Sequence, residues 1–195
     1  MGYGSNSFFY ILAAVLTNIY KMKKLKNLLF VFLLSLLMVS CQESMPQTDF
    51  SDDGVSFTVP EGWEVSDQEI FENDVHYMVV EKGGFTSSGI LTISWADDSL
   101  DLMEWLDLYE SAIMEEDVYK ESDIKFVGPI VMKFNDFSTV SKTYTVTVIN
   151  LKHKGEIHIF HANGKTFSLL KQEALEDNDA NKPGFDLIEK TFSVN

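Results

Sequence analysis

The chain from Val55 onward predicts an α+β domain: an antiparallel β meander accompanied by two helices. Three observations carry this. Short runs of alternating apolar and polar residues recur from Val55 to about residue 172, one 3.6-residue apolar stripe interrupts them after Ser99, and compact turn signals separate the later runs.

Taken in order, Val55, Phe57 and Val59 share one face of a strand that Pro60 and Gly62 end. Strands follow at about 75–82 (VHYMVVEK) and, beyond Gly83-Gly84 and Ser87-Ser88, at 89–96 (GILTISWA). A helix comes next. Asp98 or Ser99 is placed to cap it, Asp101 favours its positive end, and Leu102, Trp105, Leu106, Tyr109, Ala112 and Ile113 form the stripe that packs on a sheet. The meander then runs at about 124–133, 138–150, 155–162 and 165–172, joined by FNDF, KHKG and ANGK. Asn163-Gly164 is its strongest turn signal, because a type I′ turn needs positive φ at both central residues. After a polar loop, Pro183 opens a last helix whose Phe185, Ile188 and Phe192 close the core.

Ahead of the domain lies an address. Lys21, Lys23, Lys24 and Lys26 precede an apolar run from Leu28 to Val39, 12 residues against the roughly 20 that a spanning helix needs. That is a signal peptide over 22–40. It ends in Leu37-Met38-Val39-Ser40-Cys41, which resembles a bacterial lipobox with Met38 where leucine is usual. The expectation is that Cys41, the only cysteine, carries the lipid and begins the mature chain. Residues 41–53 then read as a polar, flexible tether, and 54–195 as one globular domain. Residues 1–21 place a second apolar patch before the basic flank, so they read as an extra leader or a mis-assigned start, with translation beginning at Met22.

Charge excludes some partners. The formal net charge is −15, and since four lysines and no acid precede Cys41, the mature chain stands at −19. There is no arginine. A nucleic-acid partner is excluded by repulsion, and guanidinium phosphate clamps are absent.

The stretches FTVPEGW (Phe57 to Trp63) and FDLIEKTFSV (Phe185 to Val194), around a mid-chain amphipathic helix and a long meander, resemble the PsbP-like superfamily. Its members include the extrinsic photosystem II protein PsbP, a Ran-binding nuclear import factor and DcrB-type bacterial envelope lipoproteins. The resemblance spans about 54–195 and implies an antiparallel sheet packed between helices, an α/β/α sandwich. It implies no shared catalytic set.

Candidate sites are few. Asp177, Asp179 and Asn181 occupy the first, third and fifth places of an oxygen-rich calcium loop, but Lys182 stands where the glycine belongs and Ile188 where the bidentate acid belongs. A polar loop before the last helix accounts for the same letters, and no metal or other cofactor is expected. His158 and His161 differ by three in a strand and point to opposite faces, which disfavours a two-histidine metal pair. No Gly-x-Ser-x-Gly occurs, and the one thiol is assigned to the lipid. Trp63 and Trp95 are the candidate partner contacts, since tryptophan is enriched in binding hot spots, although each also suits the core.

The function expected is that of a non-enzymatic, lipid-anchored module of the bacterial cell envelope, facing the periplasm or the cell surface. It would bind or support another envelope protein. The alternative is a small-ligand or calcium-binding lipoprotein, which a pocket lined by Trp and Tyr would favour. An enzyme comes last.

Overall fold

The computed structural model describes residues 45–71, 74–84, 87–120 and 122–195. Residues 1–21, the signal peptide over 22–40 and Cys41 lie outside the described residues.

Alternation along the strands builds a seven-stranded antiparallel sheet. It comprises β3 (Trp63–Phe71), β4 (Val75–Lys82), β5 (Ile90–Ala96), β6 (Lys125–Phe134), β7 (Phe137–Val148), β8 (Leu151–Ala162) and β9 (Lys165–Ala174), in the order β3-β4-β5-β9-β8-β7-β6. A three-stranded sheet is made by β1 (Thr48–Asp52), β2 (Val55–Val59) and β10 (Ser193–Val194), with β2 in the middle. The helices are α1 (Leu102–Glu115) and α2 (Asn178–Thr191).

Because side chains alternate across a strand, the large sheet feeds two cores. On one face Met78, Val80, Leu91, Ile93, Trp95, Phe134, Phe160, Phe167 and Leu169 pack against Val55, Phe57 and Val59 of β2 and against Phe185, Ile188 and Phe192 of α2. On the other face Tyr144, Val146, Ile157, Ile159 and Leu170 receive Leu106 and Ile113 of α1. The α+β class follows from this sequence pattern as read.

Four local readings are corrected. Thr48–Asp52, expected within the flexible tether, is a strand that pairs along its whole length with β2. The cap of α1 is Asp101, whose Oδ1 accepts the N–H groups of Met103 and Glu104 at 2.9 Å each; Asp98 instead accepts from the N–H of Ser99. Pro183 does not open the last helix but sits inside it, because a 3-10 turn at Leu175–Asp177 leads into α2 five residues earlier. Finally, the β7–β8 hairpin turns at Ile149-Asn150, not within KHKG. Val148 pairs with Leu151, and both turn residues have positive φ, 49° and 65°. Gly155, read as the junction of the KHKG turn and the following strand, lies well inside β8, where a Cβ would come within 2.2 Å of the Tyr144 ring. It is small because Tyr144, its cross-strand partner, lies across it.

Candidate functional site

Alternation places Tyr77 of β4, Thr92 and Ser94 of β5, and Leu170 and Gln172 of β9 on the α1 side of three adjacent strands, in register across Tyr77–Ser94 and Thr92–Leu170. Between this floor and the C-terminal half of α1, with the turn that follows, lies a groove of about 390 Å³. Tyr109, Ala112, Ile113 and Glu116 form its helical wall, and Val118 and Tyr119 close one end. That volume accommodates a small organic molecule.

Hydrogen bonds fix the walls. Tyr109 bonds to Ser94, Ser94 Oγ lies 2.7 Å from Ser168 Oγ, and Trp105 Nε1 donates to Ser168 Oγ at 3.3 Å, so α1 is pinned to the sheet through hydroxyl groups. Gln172 Nε2 donates to the Tyr119 and Tyr144 hydroxyls at 3.0 and 2.6 Å. Burial pushes the Tyr109 and Tyr144 hydroxyls well above the usual phenol range. Tyr77 moves the same way, first through burial and then through the nearby Asp67 and Glu116 carboxylates. The phenols are therefore neutral hydrogen-bonding groups on aromatic rings. Past Tyr119, Tyr144 and Gln172 a smaller hollow of about 220 Å³ opens toward His153 and Lys154.

With this geometry in place, likeness to known proteins is informative. No family model and no curated protein matches the sequence. Among solved structures, cyanobacterial PsbP (CyanoP) from Synechocystis sp. PCC 6803 superposes with a TM-score of 0.52 at 16% identity, over 80% of this chain and 98% of that one. The fold is PsbP-like. Two further structures overlap less closely. LpqN, involved in cell envelope biogenesis of Mycobacterium tuberculosis, reaches a TM-score of 0.47 at 11% identity over 77% of this chain and 91% of its own. A protein from Bacteroides thetaiotaomicron reaches 0.46 at 12% identity, over 77% and 49%. At these identities the likeness concerns the fold alone.

The PsbP-like domain also assembles a polar cluster that sequence reading did not connect. Beneath α2, His158 Nδ1 lies 3.1 Å from Ser141 Oγ and 3.2 Å from Thr139 Oγ1, while its Nε2 meets Glu156 Oε1 at 2.5 Å. Lys171 bridges Glu156, at 3.5 Å, and Glu189 of α2, at 2.6 Å. A serine, a histidine and a carboxylate in line suggest a hydrolase triad. Ser141 and His158, however, are both 0% exposed, and Phe134 covers the imidazole with ring centroids 5.5 Å apart. No substrate carbonyl reaches this serine, and the cluster satisfies buried polar atoms. Glu156 is held at a pKa of about 2, chiefly by the His158 hydrogen bond and, against the opposing effect of burial, by Lys171.

The residues singled out by sequence are dispersed. Trp63 and Trp95, read as candidate partner contacts, are 3% and 1% exposed, so both belong to the core. Trp63 packs edge-on against Phe185, and Trp95 stacks between His76 and Phe167. Returning either to water would forfeit roughly 1.5–3 kcal/mol of burial. Asp177, Asp179 and Asn181 each have a different partner. Ser88 donates to Asp177 at 2.6 Å, Asn178 donates to Asp179 at 3.3 Å, and Asn181 donates to Glu173 at 3.1 Å while accepting from Lys82 at 3.2 Å. Asp179 and Asn181 stand on a helix, where residues two apart do not face one another, so the three do not form a calcium loop.

Proposed function

We propose that this chain is a lipid-anchored, non-enzymatic accessory module of a bacterial cell envelope, with Cys41 as the lipidated residue. One observation carries the reading. The sole cysteine of the chain follows a basic flank and a 12-residue apolar run, in a lipobox-like LMVSC. The PsbP-like fold supports it, with one helix against each face of the sheet read as the α/β/α sandwich of that superfamily. The burial of Ser141 and His158 supports a binding role over hydrolysis. In this reading Cys41 lies seven residues before β1, a reach of at most about 25 Å, which keeps the acidic domain close to the bilayer and to another envelope protein as partner.

Growth with radiolabelled palmitate tests the anchor. Label is expected on the wild-type chain, and Cys41→Ala is expected to abolish it and move the protein to the soluble fraction. An unlabelled wild-type chain overturns the anchor. A partner is expected to co-purify from detergent-solubilised envelopes.

A second reading is favoured by the groove beneath α1, whose tyrosine and hydroxyl lining suits a small organic ligand. The separate engagements of Asp177, Asp179 and Asn181 speak against calcium as that ligand.

A further inference from the structure

The character of the groove narrows what would fill it. Its rings come from Tyr77, Tyr109 and Tyr119, and among the described residues its only charged lining residue is Glu116. A phenol ring presents a negative face, which attracts a cation within about 6 Å of its centroid. Among the described residues no lysine, arginine or histidine lines this lobe, so an anion would meet like charge and phenol faces there. The surroundings carry the same sign. Glu69 pairs directly with Tyr77 across the β3–β4 ladder, Asp67 lies two residues away on the same face of β3, and both act on the Tyr77 hydroxyl together with Glu116. A bare metal ion is a poor occupant, since it needs several converging ligands and, among the described residues, one carboxylate lines the site. Among the described residues there is no cluster of three or more acidic, histidine or cysteine side chains suited to a metal.

From this juxtaposition of three phenol rings and one carboxylate we infer that the groove between α1 and β4-β5-β9 is a binding site for an organic ammonium ion. The aromatic rings take the apolar shell of the cation and Glu116 balances its charge, while the side-chain carbonyl of Gln172, whose amide N–H groups go to Tyr119 and Tyr144, offers an acceptor to the rest of the molecule. This rests on reading the groove as a ligand site. It is independent of lipidation.

The probes are choline and its neutral isostere 3,3-dimethyl-1-butanol, titrated calorimetrically into the full chain solubilised in dodecyl maltoside. Choline is expected to bind about tenfold more tightly than the isostere. Glu116→Gln, a change at an exposed side chain, is expected to weaken choline severalfold and leave the isostere unchanged. Tyr77→Leu is expected to weaken choline, whereas Tyr77→Phe, which keeps the ring, retains it. Equal binding of the two probes would overturn the cation assignment while leaving a ligand groove in place. Absence of heat from both at about 10 mM, or a Glu116→Gln protein that binds choline as the wild type does, overturns the inference. Thermal unfolding of each variant separates lost binding from lost fold.

Discussion

His158 shows what a single residue's surroundings decide. The alternation of β8 turns it into the core beside Phe160, where every ring nitrogen must find a partner, and Thr139, Ser141 and Glu156 supply them. Glu156→Ala leaves Nε2 facing no acceptor and should cost about 1–3 kcal/mol in urea unfolding, whereas Glu156→Gln keeps an oxygen in place and should cost less. A pH dependence follows. The folded carboxyl titrates near 2 rather than 4.5, so its contribution to stability is complete above about pH 4.5 and disappears as the pH falls toward 2. The stability gap between wild type and Glu156→Gln should therefore close over that window, and a gap that stays constant down to pH 2 would refute the assignment. Sequence alone showed that His158 and His161 point oppositely, which is correct. It could not show that Ser141, 17 residues away, would meet the ring, because that contact depends on the register of the β7–β8 hairpin.

Elements were legible where their own side chains carry the pattern. The α1 stripe, β2, β4, β5 and the Asn163-Gly164 turn stand essentially where the sequence put them. β1 and β3 did not announce themselves: six of the nine residues in β3 form a continuous exposed run, and its pairing with β4 rather than any apolar alternation makes it a strand. The β7–β8 turn was missed because Ile149 disguises it. A β-branched residue at φ 49° is disfavoured, and this side chain is 89% exposed, so packing does not repay the strain. Ile149→Asn should raise stability by about 1 kcal/mol, read as a higher urea midpoint with an unchanged slope. The seat of α2 makes the opposite case. A Cβ on Gly184 would lie 2.5 Å from Trp63 Cε2, and the same indole is hemmed from another side by Gly89. Alanine improves helix propensity by about 1 kcal/mol, but overpacking of a boxed ring costs roughly 1–3 kcal/mol. Gly184→Ala should thus lose stability on balance, with Trp63→Phe relieving part of the loss in a double-mutant cycle.

At the scale of the whole domain, the question is what ties the small sheet to the large one. Their shared apolar core is non-directional, so orientation falls to polar contacts, among them Gln68 donating to Asp52, Asn163 donating to the Val194 carbonyl and a group at the β1–β2 turn. Asp53 sits in that turn and receives Lys165 Nζ of β9 at 2.5 Å and Trp95 Nε1 of β5 at 2.9 Å, with His76 Nε2 of β4 3.5 Å away. One carboxylate thus meets three adjacent strands of the large sheet, and Lys165 also reaches Asp97 at 3.0 Å. The Lys165 hydrogen bond, followed by that of Trp95, holds the Asp53 carboxyl below its ordinary 3.8. Its contribution is therefore present above about pH 4 and declines as the carboxyl protonates on further acidification. Asp53→Asn removes the charge and keeps the shape. Since the aspartate side chain is 37% exposed and solvent screens the pair, a loss of about 1 kcal/mol at pH 7 is expected. That gap should shrink below pH 4 and narrow with added salt at neutral pH. A variant as stable as the wild type at pH 7 in low salt would mean that the charge of Asp53 contributes nothing to holding the two sheets together.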